Sequence, residues 1–404
     1  MTQVRVGVFG LLGSGNLGND GSLEAVLGHL RRTRPEAVVD ALCGGPEVVT
    51  ARYGIPATRL HWYRGEYRTA SRAGAIAGKG LGKLVDAVRT AAWVRRHDVV
   101  IVPGMGVLEA TLPLRPWGFP YALFLLCASG RVLGTKVALV GVGAAPIGSR
   151  PTRALVRWSA RLAAHRSYRD TLSRDAMRAM GVDTTRDAVH PDLAFALPAP
   201  PAGEGRRPGL VCVGVMDFHG GDDDRARAGE IHRRYLDGTT RFVRTLVEEG
   251  RPVRLLTGDA CDARVVEAIL DAVDSPLVTA AEATSLTELM REAAAADTVV
   301  ATRYHNLVCA LRAGTPTLAL SYAAKSDALM SRMGLEAYCH PAREVDTDRL
   351  LEQFRELEKH SAELRRTLAE RGRDTTGELD RRLAALTTAL FPATDPTHAV
   401  RETP

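Results

Sequence analysis

Short runs of Val, Ile and Leu recur in the first half of the chain at Val4–Phe9, Ala37–Leu42, Asp98–Val102, Lys136–Val142 and Arg166–Tyr168, with apolar residues at helical spacing between them. A continuous apolar run suits a strand covered on both faces, and strands that alternate with helices build a parallel sheet. The alternation stops at Leu197-Pro198-Ala199-Pro200-Pro201-Ala202-Gly203, and it restarts with Leu210–Val215, Val253–Leu256, Thr298–Ala301 and Thr317–Leu320. The Pro-rich stretch reads as a linker. The expected organisation is α/β, with Rossmann-like units over 1–197 and 198–345. From 346 to 391 the chain becomes charged and helical, with Leu350, Leu351, Phe354 and Leu357 forming one stripe, and the Pro/Thr tail 392–404 is expected to be disordered. Beyond this coarse doubling no internal repeat is visible.

The first apolar run leads into LLGSGNLGNDG, Leu11 to Gly21, which contains GxGxxG ahead of a helical segment, with Asp40 at the following strand. Glycines there let a backbone approach a pyrophosphate, and a helix N-terminus favours an anion. Asn16, Asn19 and Asp20, however, place side-chain amides and a carboxylate where a pyrophosphate requires bare N–H groups. Such side chains suit hydrogen bonding to a polyol. They suit a helix cap equally well, since Ser22 and Glu24 fit a first turn, and for Asp20 the cap and the functional role stand side by side. A phosphate-binding loop of the GxxxxGK[ST] kind is absent, because Gly78-Lys79 is followed by Gly80.

A second concentration of chemistry lies in RYHNLVCALRAGTPTLALSYAAK, Arg303 to Lys325. The apolar run at Thr298–Ala301 puts Arg303 and His305 in the next loop or first helical turn. Gly314-Thr315-Pro316 ends that helix, and Lys325 falls just beyond the next strand. All three cations therefore belong at the carboxyl edge of a parallel sheet, where α/β folds hold ligands. Arg, His and Lys gathered there fit a compact anion of two or three charges, and Arg supplies the fork that a carboxylate or phosphate needs. In the first unit, Tyr168-Arg169-Asp170-Thr171 follows a short strand and opens a helix. Arg169 can face the cleft between units with Asp170 orienting it, or the pair can be a surface salt bridge and an N-cap.

Composition narrows the classes. The chain has 404 residues, 45% hydrophobic and 25% charged, enough for two full cores. Its formal net charge of +6 is diffuse, with no basic run interleaved with aromatics, so a nucleic-acid surface is not expected while small anionic ligands remain compatible. Six scattered cysteines without a CxxC favour reduced thiols over disulfides or structural zinc. Asp222-Asp223-Asp224 reads as a solvated loop, and no convincing metal-ligand cluster is evident. The N-terminus enters a strand at Val4 without the regions of a signal peptide, so a cytoplasmic protein is expected. The longest uncharged run, Pro116 to Gly130, holds two prolines and is too short for a membrane span. A buried helix is the expectation there. A dip into a membrane interface, or a wall of an acceptor site, is the alternative.

The segments GNLGNDGSLEAVL (Gly15–Leu27), YRDTLSRDAM (Tyr168–Met177) with Gly181-Val182, PDLAF (Pro191–Phe195), RYH (Arg303–His305) with AGTP (Ala313–Pro316), and Lys325 together resemble the polysaccharide pyruvyltransferase family. The resemblance spans most of the chain. It implies a two-domain GT-B arrangement that uses phosphoenolpyruvate rather than a nucleotide sugar, with no further cofactor and no metal. It implies that Arg169, Arg303, His305 and Lys325 contact phosphoenolpyruvate, and that the Asn16/Asn19/Asp20 loop faces a saccharide or glycoside acceptor. The product is a cyclic pyruvyl ketal of cell-envelope polysaccharide synthesis, with the inner face of the membrane as a possible workplace. His305 is then the proton-transfer group and Asp20 a base toward the acceptor. Tyr304 stands where the family commonly has an aliphatic residue, in the wall of the donor pocket. Where members often carry an acid directly after the loop glycine, this chain has Asn19 and then Asp20. A GT-B glycosyltransferase with a nucleotide-sugar donor is the rival.

Overall fold

The computed structural model describes residues 3–62, 72–109, 117–201 and 205–391. The expected disordered tail, 392–404, lies outside the described residues. The first unit holds β1 (Arg5–Gly10), α1 (Leu17–Thr33), β2 (Val38–Cys43), α2 (Pro46–Tyr53), β3 (Ala57–Arg59), α3 (Arg72–Val94), β4 (Val99–Pro103), α4 (Phe119–Leu133), β5 (Lys136–Val142), α5 (Arg150–Leu162), β6 (His165–Tyr168), α6 (Thr171–Ala179) and β7 (Ala188–Val189). The second holds β8 (Val211–Gly214), α7 (Ala228–Glu248), β9 (Val253–Leu256), α8 (Ala263–Val273), β10 (Val278–Ala280), α9 (Leu286–Ala295), β11 (Thr298–Ala301), α10 (Tyr304–Arg312), β12 (Thr317–Ser321), α11 (Ala324–Arg332) and β13 (Cys339–Pro341). Helices α12 (Thr347–Lys359) and α13 (Ser361–Leu390) close the described chain.

Both sheets are parallel, and their strand orders are alike: β3-β2-β1-β4-β5-β6-β7 and β10-β9-β8-β11-β12-β13. The coarse doubling of the sequence is thus a doubling of topology. The central strands are buried along their length, as in the all-buried pattern of β4 and β11, because helices cover both faces. In each sheet the strand order reverses beside the first strand, and at that switch point the carboxyl ends open a crevice.

Helix α13 joins the units. Its Leu364 and Leu368 belong to the same apolar core as the second sheet, and its Leu383 and Leu390 pack with Val26, Leu30, Ile101 and Val140 of the first. Polar ties lie at the same end: His29 Nε2 meets Thr387 Oγ1 at 2.7 Å, and Lys136 Nζ donates to the Leu390 carbonyl at 3.0 Å. The uncharged run is helix α4, whose Phe119, Ala122, Leu123, Leu126 and Cys127 are buried against the first sheet. No helix among the described residues is long and apolar enough to cross a membrane. All six cysteines are free thiols, four of them buried.

Candidate active site

The carboxyl edges of the two sheets face one another. From the first, β4 runs into Gly104-Met105-Gly106, with Gly104 and Met105 both at positive φ (53° and 63°), and the turn delivers Glu109 into the cleft. Backbone bonds from Gly143 N–H to Met105 O (2.8 Å) and from Leu108 N–H to Gly143 O (3.1 Å) fix this turn to the continuation of β5. Beyond β6, Asp170 caps α6 by accepting from Ser173 N–H at 2.6 Å, and Arg169 just ahead of it is buried. From the second unit, Arg303 is the N-cap residue of α10, His305 lies in its first turn, and Lys325 stands in the first turn of α11.

Arg169 and Lys325 converge on Glu109. One of its oxygens accepts from Arg169 Nη2, and the other from Lys325 Nζ at 3.1 Å, so a single carboxylate ties the two units together. Asp170 and Asp192 stand 3.7 and 3.9 Å from the Arg169 guanidinium. The guanidinium lies 4.9 Å over the Tyr304 ring and Lys325 Nζ 5.9 Å from it, so Tyr304 backs both cations. His305 Nε2 is 3.8 Å from Asp192 Oδ2, beyond hydrogen-bond reach, and is buried with no hydrogen-bond partner among the described residues. Space for this packing comes from glycine. A Cβ on Gly143 would fall on the Glu109 and Arg169 side chains, and one on Gly18 would fall on the His305 ring.

The charges tune one another. Burial alone would raise the Glu109 pKa, but Arg169 and Lys325 reverse this and bring it down to about 2. Burial works against the charge of Arg169, and Glu109 outweighs it, holding the guanidinium firmly protonated. For His305, burial dominates; Asp192 pulls upward, Arg169 and Lys325 push downward, and the pKa falls to about 4. The free protein therefore holds a neutral imidazole at neutral pH.

Arg303 stands apart from this cluster. Its Nε and Nη2 donate to the fully buried Asp262 at 2.9 and 2.6 Å, and Nη2 also reaches Cys261 Sγ at 3.2 Å. Asp262 further accepts the N–H groups of Gly258, Asp259 and Asp217. The arginine expected to grip a donor is thus fixed as the counter-ion of a buried carboxylate.

The glycine loop is likewise engaged by the protein. Asn16 is the N-cap of α1, accepting from Gly18 and Asn19 N–H at 3.1 and 3.2 Å, so of the two roles open to Asp20 the cap is taken by Asn16. Its amide donates to Asp259 Oδ2 at 2.9 Å, and backbone bonds Leu17 N–H to Gly258 O and Ala260 N–H to Gly15 O complete a closure between the units. Asn19 donates to the Leu11 carbonyl, and Asp20, 4% exposed, accepts from Gly13 N–H at 2.6 Å. Burial raises the Asp20 pKa against the pull of that N–H. All three loop side chains therefore hold the loop, and the helix N-terminus has no bare amides for a pyrophosphate. Asp40 is bonded to Trp93 Nε1 and His97 Nε2.

One cluster with metal-ligand chemistry exists among the described residues: Asp217, His219 and His232, whose ligand atoms lie within 4.8 Å of one another. The two imidazoles stack at 4.3 Å with planes only 7° apart, so their in-plane lone pairs do not meet at one ion, and Arg264 already pairs with Asp217. Asp223 is exposed and Asp224 is bonded to Arg343 at 2.7 Å in the short 3₁₀ helix Asp222–Arg227. Sequence reasoning gave no role to Glu109, Asp192 or Asp262. The signals available were the carboxylate directly after a strand and Gly-x-Gly turn for Glu109, and PDLAF for Asp192, whose Oδ1 accepts Ala194 N–H at 3.0 Å while Oδ2 faces His305.

Two Rossmann-like units facing across a cleft with the site between them define a GT-B protein. Solved structures agree on that fold. UDP-GlcNAc 2-epimerase from Neisseria meningitidis bound to UDP-GlcNAc matches with a TM-score of 0.59 at 10% identity, covering 95% of this chain and 99% of that one. MurG of Acinetobacter baumannii matches with a TM-score of 0.52 at 13% identity, covering 95% and 99%. The UDP-GlcNAc 2-epimerase of Methanocaldococcus jannaschii gives 0.58 at 9% identity, covering 88% and 93%. No curated protein sequence matches the chain. Residues 16–323 match the family described as polysaccharide pyruvyl transferase, and the chain belongs to that family. It is a transferase by family.

Proposed function

We propose that the protein transfers pyruvate from phosphoenolpyruvate to two hydroxyls of one sugar residue, forming a cyclic ketal and releasing phosphate. The observation that carries this reading is the convergence of Arg169 and Lys325 from two units on one carboxylate, with the buried His305 Nε2, which has no hydrogen-bond partner among the described residues, beside them. In the free protein Glu109 occupies the position of an anionic ligand. The donor carboxylate or phosphate would exchange with it, taking the bonds of Arg169 and Lys325, while the Tyr304 ring walls the pocket behind them.

Donor binding then changes His305. A dianion or trianion beside it opposes the downward push of the cations and raises its pKa, so the imidazole takes up a proton. It delivers that proton to C3 of the enol, and C2 becomes oxocarbenium-like and accepts the first hydroxyl. The C2–O bond to phosphate breaks, and the second hydroxyl closes on C2. The proton of the first hydroxyl returns to the imidazole that supplied C3, and the proton of the second leaves on the phosphate. Arg169 and Lys325 hold the charge that develops on the departing phosphate, where fixed positive charge is most effective. A positioned proton donor of this kind contributes about 10²–10⁴ in rate. Asp20 and Asn19 support the reaction by shaping the acceptor-side loop. Arg303, through Asp262, positions the turn at 258–262 that meets that loop.

The rival is a nucleotide-sugar enzyme, since solved structures with this fold include a UDP-GlcNAc 2-epimerase bound to UDP-GlcNAc. Ligand-dependent melting separates the two. Phosphoenolpyruvate at about one hundred times its dissociation constant should add roughly 2.7 kcal/mol to stability, with uridine diphosphate doing far less. A large shift with uridine diphosphate beside none with phosphoenolpyruvate would reject the pyruvyl-transfer reading.

A further inference from the structure

Several large apolar side chains are exposed on one face of the first unit. Leu81, Leu84 and Val88 recur at helical spacing on α3 and are 57%, 64% and 64% exposed. Trp117, 63% exposed, continues the patch: its ring meets Tyr121 of α4 edge-on at 5.8 Å, and Lys83 of α3 lies 5.8 Å over that same tyrosine. Beyond α4, helix α5 exposes Trp158, with the Arg161 guanidinium 5.7 Å over its ring. The three helices pack side by side, α3 on α4 and α4 on α5.

Charge on these helices is one-sided. From Gly80 to Val94, and through α4 and α5, there are seven lysines and arginines and a single acid. That acid, Asp86, is buried and serves Trp62 N–H, His61 and the neighbouring cations internally. Lys83 extends from the edge of the apolar stripe, and Arg131, Arg150 and Arg161 are exposed. A contiguous apolar stripe marks an interaction site rather than scattered surface residues. Flanking tryptophans and an excess of cations over acids are the pattern that seats a protein at the boundary of an acidic bilayer. A second copy of this face would bring the same cations together, which disfavours a twofold contact.

We propose that the α3–α5 face of the first unit docks on an anionic phospholipid bilayer. The uncharged run in α4 packs inward on the sheet, so the docking elements are the α3 stripe and the two tryptophans. Because α4 starts at the carboxyl edge that carries Glu109, a docked bilayer borders the cleft. The inference is independent of the pyruvyl-transfer reading.

The test is co-sedimentation of the full chain with phosphatidylcholine vesicles, with and without phosphatidylglycerol, at low and high salt. Binding is expected only with phosphatidylglycerol and should fall with salt. Leu84→Glu with Val88→Glu should lower the bound-to-free ratio by at least about tenfold. Lys83→Gln with Arg150→Gln should lower it by about tenfold on the acidic vesicles alone. Far-UV circular dichroism checks the fold, and the charge variants carry the test should the apolar ones unfold. Equal pelleting with and without phosphatidylglycerol, or unchanged binding by the folded variants, overturns the proposal. A dimer that Leu84→Glu with Val88→Glu dissolves, without vesicle binding, would assign the patch to a second copy and overturn it too.

Discussion

Replacing Glu109 by Gln tests the site at its centre. The carboxylate is 7% exposed and binds a cation from each unit. Its pKa falls from 4.5 to about 2, which at about 1.36 kcal/mol per pKa unit makes the charged form worth ~3 kcal/mol to the closed structure. Because the folded-state pKa is depressed, this contribution is complete above about 4.5 and is lost as pH falls toward about 2. Glu109→Gln should therefore be less stable than wild type near neutral pH, and the gap should shrink as pH drops below about 4.5. Thermal melts from pH 3 to 7 read both effects. The variant also leaves Arg169 and Lys325 without their shared anion, so phosphoenolpyruvate should bind it at least about tenfold more tightly than wild type. A stability gap that does not change with pH, or a weaker response to phosphoenolpyruvate in Glu109→Gln, would refute the exchange of Glu109 for the donor.

His305→Ala should keep its melting temperature within a few degrees and lower turnover by about two orders of magnitude or more in a phosphate-release assay. In wild type, kcat/KM reports the free imidazole and should change with a pKa near 4, whereas the kcat limb should lie at higher pH because the donor is bound. Gly18→Ala, whose Cβ falls on the His305 ring, should reproduce the turnover loss by displacing the imidazole while circular dichroism stays native. Arg303→Ala leaves the buried Asp262 without its cation and should cost about 3–5 kcal/mol in denaturant unfolding, whereas Lys325→Ala should chiefly raise the donor KM.

Legibility in the sequence followed burial. The central strands of both sheets stand where their Val/Ile/Leu runs lie, because strands covered on both faces must be continuously apolar. The strands that escaped, β3, β7, β10 and β13, are the four sheet edges. They are two or three residues long, as Ala188–Val189 and Cys339–Pro341 illustrate, and a half-covered strand of that length carries no period to read. At the site, Arg169, His305 and Lys325 could be placed because each lies in the turn or first helical turn beyond the carboxyl end of a strand. Their partners could not. Whether Arg303 meets Asp262 depends on which strands lie side by side in the second sheet, and whether Lys325 meets Glu109 depends on how the two units close over one another; no local pattern encodes a contact across 41 or 216 positions. The same limit applies to Asn16, whose cap is a local signal but whose bond to Asp259 is not.

The most direct measurement is a product analysis. The protein is incubated with phosphoenolpyruvate and a panel of glycosides that present adjacent or 1,3-related hydroxyls, and the mixture is read by mass spectrometry alongside inorganic phosphate. Pyruvyl transfer predicts a glycoside heavier by pyruvic acid less one water, stable to base and cleaved by acid as a ketal is, with one phosphate released per product and both formed at least about a hundredfold more slowly with His305→Ala. Glycosides left unchanged by phosphoenolpyruvate but extended or epimerised when a nucleotide sugar is supplied would contradict it.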